Sequence, residues 1–136
     1  RFEVLKELRD RGIPTVVWLT PILPFINDTW ENISGILGYC EEARVRGVIC
    51  FDMGMTLRDG DREYYYTALD EHFPGLRDRY VRTYGDSYVI RSPNADVLMR
   101  MFRSRCMENC MISDPDACFE FIGRFPDNVR QTTLDV

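Results

Sequence analysis

Apolar positions recur first at a helical period. Phe2, Leu5 and Leu8 fall on one face, with Val4 beside them, so the chain opens inside a helix. A continuous run then follows, Val16-Val17-Trp18-Leu19, which reads as a buried strand. It meets Pro21 and Pro24 and then Asn27-Asp28, where a second helix is expected to start. Asp28 suits the cap of that helix, with Glu31 three residues on as its partner. Ile33, Ile36, Leu37 and Cys40 repeat at helical spacing and should face the strands. A weak internal repeat supports this order. Leu8–Leu19 and Ala43–Gly54 share a helix end, an Arg-Gly pair and a hydrophobic strand. Their glycines, Gly12 and Gly47, lie thirty-five residues apart, about one βα unit, and each suits the left-handed position that ends a helix.

After Gly54 the period changes. Leu57–Asp61 reads as a turn, Arg62–Phe73 as a helix stopped by Pro74-Gly75, and Leu76–Gly85 as another. Ser92-Pro93-Asn94 opens a long helix to about Asn109, with Val97, Leu98, Met101 and Phe102 as its buried stripe. Asp114-Pro115 caps a last helix carrying Phe119 and Ile122. The expected organisation is α/β over residues 1–56, an all-helical extension over 57–126 and a fraying or extended tail over 127–136. Two βα units do not close a barrel, and the chain starts at Arg1 rather than Met. A piece of a longer protein, cut within a helix, is therefore expected; a processed natural start is the alternative.

Charge narrows the partners. The 136 residues carry a net charge of -5, which argues against a general nucleic-acid surface but leaves room for a local basic patch. No apolar run is long enough for a membrane span. Five cysteines without a visible secretory signal fit a reducing, cytoplasmic setting.

Candidate chemistry is sparse. Cys106, Cys110 and Cys118 are spaced C-x3-C-x7-C, and no histidine lies near them, His72 being the only one. Buried thiols on a helix face are the commoner fate, so no metal is assigned to them. A C-x3-C-x2-C reading from Cys106 fails because Ser113 stands where the third cysteine belongs. His72 suits a helix end. Tyr64, Tyr65 and Tyr66 suit core cover with hydroxyls at the rim, or stacking on a flat ligand. Asn27-Asp28 is the best polar candidate, since a helix start after a strand borders the carboxyl end of a parallel sheet. Asp52 and Thr56 follow the second strand, and Gly54 there would let a ligand approach the backbone. No phosphate loop, dinucleotide fingerprint or Ser/His/Asp arrangement is present. From the residues alone, the chain reads as the end of an α/β barrel with a helical extension.

The run TPILPFINDTWENISGILGYC followed by ARVRGVICFDMGMTLRDG resembles radical S-adenosylmethionine proteins, specifically the spore photoproduct lyase-like (DNA repair photolyase-like) group. YYYTALDEHFPGLRDRYVRTYG and SPNADVLMRMF are similar to the carboxyl-terminal region of that group, so the resemblance spans most of the chain. It implies the last two βα units of a partial (β/α)6 barrel. It implies a [4Fe–4S] cluster held by three cysteines after the first strand, and S-adenosylmethionine cleaved reductively to a 5′-deoxyadenosyl radical. A reductant such as flavodoxin or ferredoxin is implied as a partner, and the substrate is unspecified. The cluster loop is absent from this chain, so the fragment alone is expected to lack the cluster and the activity. Carried over residue by residue, the resemblance implies a cofactor pocket at Thr20, Pro21 and Leu23 after one strand and Phe51, Asp52 and Gly54 after the other, with Asn27 and Asp28 at its border. A half-barrel piece of a lyase or aldolase-type enzyme, and a non-catalytic binding domain, are the alternatives.

Overall fold

Val16 and Val17 are β-branched and Trp18 is aromatic, side chains that favour extended backbone. In the computed structural model, which describes residues 1–124, they form strand β1 (Val16–Trp18) after helix α1 (Phe2–Asp10). The chain crosses over through α2 (Trp30–Glu42) and returns as β2 (Gly47–Ile49). β1 and β2 pair in parallel, Val16 opposite Gly47 and Trp18 opposite Ile49. This is one βαβ unit, the connection that parallel strands require. On the other side of β2, Val48 N–H donates to Ile112 O at 2.8 Å and Ile112 N–H donates to Arg46 O at 3.0 Å. The outer edge of β1 has no strand partner among the described residues.

α2 buries Ile33, Leu37 and Cys40, as its spacing predicts, with Ile36 packed partly against the same cluster. Helix α5 (Ala95–Glu108) packs beside it and contributes Leu98, Met101, Phe102 and Cys106. Met99 is buried as well, whereas Val97 is half exposed, so the stripe sits one position off the expected face. Arg105 on α5 ties the two helices together. It donates to Ser34 O at 2.9 Å and meets Glu41 at 2.6 Å, with both charged side chains about three-quarters covered. A partly desolvated pair of that kind is screened less than a surface pair.

The glycine pattern holds at one position and fails at the other. Gly12 ends α1 with φ at 72°. Gly47 instead lies inside β2, and the left-handed residue after α2 is Arg44, at φ 51°. Gly47 is needed for space: a Cβ there would sit 2.9 Å from Cys118 Sγ and 3.0 Å from Ile112 O.

The back half departs from the all-helical expectation. Helices α3 (Asp61–His72), α4 (Leu76–Tyr84) and α6 (Pro115–Gly123) form close to the expected positions, and Asp114 caps α6 by accepting from Ala117 N–H at 2.9 Å. Between α4 and α5, however, Val89–Arg91 forms a strand, β4, antiparallel to β3 (Gly54–Thr56). The alternation decides it: Val89 and Arg91 are exposed and Ile90 is fully buried. Ile90, with Leu57, Tyr66, Leu69 and Tyr80, makes a second core cluster. The expected tail at 127–136 lies outside the described residues. No helix among the described residues is long and apolar enough to cross a membrane.

Two glycine substitutions test this packing. A Cβ at Gly54 would fall 2.3 Å from Ile90 O, so Gly54→Ala should lower stability by about 1–3 kcal/mol. Gly35, exposed within α2, has no neighbour within 4 Å, and Gly35→Ala should raise stability by about 0.5–1 kcal/mol. Urea denaturation reads both. A neutral Gly54→Ala would show that the β3–β4 contact is not tight.

Candidate functional site

The loops that leave β1 and β2 at their carboxyl ends meet β3 and β4 around one open cavity of about 730 Å³. Thr20, Pro21 and Leu23 come from the first loop, Phe51 and Asp52 from the second, and Gly54 opens β3. Six of the eight positions implied by the resemblance therefore line a single space. The lining is mostly apolar, with Met55, Tyr65 and Ile90 completing much of it. Buried aliphatic and aromatic walls with few polar groups are typical of small-molecule sites.

The first loop is held by its own polar atoms. Asn27 Oδ1 accepts from Leu23 N–H at 2.6 Å, and Asn32 Nδ2 donates to Asn27 O at 2.8 Å. Ile22 N–H donates to Gly54 O at 3.1 Å, fastening this loop to β3. Tyr80, fully buried, donates its hydroxyl to Pro24 O and accepts from Tyr65 OH at 3.0 Å. Burial pushes the Tyr80 phenol far above its usual range, so it remains a neutral donor. Phe25 sits at φ 64°, a strained region for a non-glycine residue, with its ring edge-on to Tyr80 and under the Arg79 guanidinium at 3.9 Å.

Asn27 and Asp28 are not brought to the cavity wall. Asp28 does not cap α2 either, and Glu31 is not a capping-box partner. Thr29 is the cap, accepting from Asn32 N–H at 3.2 Å. Asp28 is 3% exposed and accepts the Ser92 hydroxyl, while its backbone carbonyl accepts from Asn94 Nδ2 at 3.3 Å. It thus links the loop before α2 to the turn before α5. A buried carboxylate must find a donor, and Ser92 supplies it, while the neighbouring Thr29 caps the helix.

Asp52 behaves differently. Its Oδ1 accepts from Met53 N–H at 2.8 Å, and its Oδ2 meets Arg91 Nε at 2.7 Å. Arg91 also reaches Asp96 at 2.7 Å, and its charge holds the Asp96 carboxyl below the usual range. This half-exposed chain of charges forms the polar rim of an otherwise apolar cavity. Sequence reasoning missed Arg91, Ile90 and Val89 together, because residues 87–91 were not read as a strand. The available signal was the β-branched pair Val89-Ile90 between Gly85 and Ser92-Pro93. Gly54 was expected to admit a ligand; the backbone that approaches it is that of β4.

The cysteines do not converge on a site. Cys106 and Cys118 are buried and Cys110 is exposed just past α5. Among the described residues no three His, Cys, Asp or Glu side chains group so as to hold a metal ion. Burial pushes the thiols of Cys40 and Cys50 up to about 11 and that of Cys106 up to about 12. Tyr64 is exposed, Tyr66 is buried and Tyr65 alone of the three reaches the cavity. His72 is the last residue of α3, in the position favoured by the helix dipole.

No family model and no solved structure matches the chain. Uncharacterized proteins of Mycobacterium tuberculosis and Mycobacterium bovis are 30% identical to it over 84 residues, 62% of this chain and 24% of theirs. The chain thus matches about a quarter of the length of these curated relatives.

Thr29→Ala should cost about 0.5–2 kcal/mol as a lost cap. Asp28→Ala should cost about 1–3 kcal/mol by leaving the buried Ser92 O–H without its acceptor. A neutral Thr29→Ala would return the cap to Asp28. At pH 8 an aromatic disulfide reagent should modify Cys110 rapidly. Cys40, Cys50, Cys106 and Cys118 should react only after urea is added. Thiols raised in the folded state stay protonated until the pH climbs towards 11, so their slow reaction should persist through mildly alkaline pH. Fast modification of all five in buffer would mean that the core opens readily.

Proposed function

We propose that this chain is the carboxyl-terminal portion of a radical S-adenosylmethionine enzyme of the spore photoproduct lyase-like group, and that its cavity takes S-adenosylmethionine. The observation that carries this reading is the convergence of Thr20, Pro21, Leu23, Phe51, Asp52 and Gly54 on one space. They come from the segments that follow β1 and β2, which are separated in the chain by the whole of α2. The partial (β/α)6 barrel belongs to the same proposal, in which β1–α2–β2 would be one unit and further strands would add at the open edge of β1.

The cavity suits the ligand chemically. Leu23, Phe51, Met55 and Ile90 offer apolar cover for an adenine ring. Thr20 and the main chain of the two loops offer hydrogen bonds for a ribose. Asp52 and Arg91, of opposite charge at the rim, match the ammonium and carboxylate of an amino acid. When bound beside a [4Fe–4S] cluster, S-adenosylmethionine supplies a radical that begins chemistry on a substrate. Four of the five cysteines are buried and no three metal-ligating side chains group together among the described residues, so in this reading the cluster ligands come from another region of the parent. This chain's own task is to bind and orient the cofactor and to keep water from its apolar end. A cytoplasmic location and a flavodoxin- or ferredoxin-type reductant belong to the same reading.

Titrating the 136-residue chain with S-adenosylmethionine should shift the backbone amides of Thr20, Leu23, Phe51 and Gly54 in nitrogen–proton correlation spectra. Phe51→Ala should weaken binding about tenfold, the effect of about 1.4 kcal/mol. The parent, reconstituted anaerobically with iron and sulfide, should release 5′-deoxyadenosine on reduction. Amide shifts confined to other loops, or no 5′-deoxyadenosine from a cluster-loaded parent, would overturn the reading.

A further inference from the structure

Beside the main cavity lies a smaller hollow of about 370 Å³ with a different chemistry. It shares Phe51, Asp52 and Arg91 with the first cavity and adds Asp96, Arg100 and Arg103. Three guanidinium groups therefore border a space that is predominantly polar, in a chain whose net charge is -5.

The three are not equivalent. Arg91 is committed, with Asp52 and Asp96 each at 2.7 Å. Arg100 and Arg103 lie three residues apart on α5, on one helix face. Among the described residues neither of them is in an ion pair. Arg105, two residues further on, contrasts with them: it is held by Glu41 and Ser34 on α2. Arg91 and its two carboxylates together carry one net negative charge, so with Arg100 and Arg103 the lining of the hollow is net positive by one charge, in a chain that is acidic overall.

We propose that this hollow binds the phosphate group of a small phosphomonoester substrate whose body lies at the shared wall of Phe51 and Arg91, beside the cofactor in the larger cavity. Guanidinium groups present paired donors that match phosphate oxygens, and Arg100 and Arg103, in no ion pair among the described residues, leave such donors open beside a net positive lining. The shared wall of Phe51 and Arg91 puts an anion site and an apolar site within the reach of one small molecule. A long polyanion is disfavoured, because the acidic balance of the chain repels it beyond this one hollow. The assignment of the phosphate to a substrate rests on the reading of the cavity given above; the binding of phosphate does not.

The test is calorimetric titration of the chain with glycerol 3-phosphate, inorganic phosphate and a single-stranded oligonucleotide, in wild type and in the Arg100→Gln/Arg103→Gln double variant. Both arginines are exposed, so the variant should melt as wild type does, and a melt confirms that it is folded. Glycerol 3-phosphate and inorganic phosphate should bind, and the double variant should weaken both at least about tenfold, whereas Arg82→Gln on α4 should leave them unchanged. S-adenosylmethionine binding should survive the double variant. Equal phosphate affinity in wild type and double variant, or no binding to wild type, would overturn the proposal. Oligonucleotide binding much tighter than that of the monoester and lost in the double variant would also overturn it, assigning the arginines to nucleic acid. Loss of S-adenosylmethionine binding in wild type with phosphate binding intact would remove the cofactor reading alone.

Discussion

The main chains of β3 and β4 meet at Gly54 more closely than any side chain permits, with the site of a Cβ only 2.3 Å from Ile90 O. Much else depends on that contact. Gly54 also accepts from Ile22 N–H, so one residue joins β4 on one side to the loop after β1 on the other. The antiparallel pair is thereby drawn across the carboxyl ends of the parallel pair, and the cavity is the space left between them. A methyl group at this position would have to push the walls apart, which explains why the glycine matters without any ligand.

The rest of the molecule holds those walls still. The apolar faces of α2 and α5 supply most of the first core, and the Arg105–Glu41 pair fixes how the two helices lie. The second core uses Tyr80 as a post: its hydroxyl reaches back to Pro24 and its ring packs against Phe25, Tyr65 and Tyr84. Asp28 and Ser92 join the loop before α2 to the turn before α5 through one buried hydrogen bond. A buried polar link of this kind is costly if either partner is lost, which makes it a source of specificity as much as of stability.

Charge is arranged around the mouth rather than inside. Asp52, Arg91 and Asp96 form a continuous chain of charges at the rim, and the rest of the lining is mostly apolar. Trp18, Phe51 and Phe119 contact one another on the outside, with ring centroids 5.7–6.4 Å apart, although all three are substantially exposed. Parallel sheets are ordinarily covered on both faces, so the aromatic cluster and the open edge of β1 mark the side where the fold can be extended.

Local patterns in the chain determined the helices, because amphipathic spacing, Asp114-Pro115 and the Pro74-Gly75 break act within a few residues. They also determined β1–α2–β2, since a strand, a helix and a strand at that spacing have few ways to pack. Three things were decided only in three dimensions. Arg44 rather than Gly47 took the left-handed turn, because Gly47 was needed where Cys118 and Ile112 crowd the strand. Asp28 left the helix cap to Thr29, because burial beside Ser92 gave its carboxylate a donor that no local pattern displays. Val89–Arg91 became a strand, because its partner lies more than thirty residues earlier at Gly54–Thr56. The loops of the cavity were legible in the sequence as segments that follow strands. Its far wall was not, because a three-residue strand carries too little periodicity to declare itself without the neighbour that pairs with it.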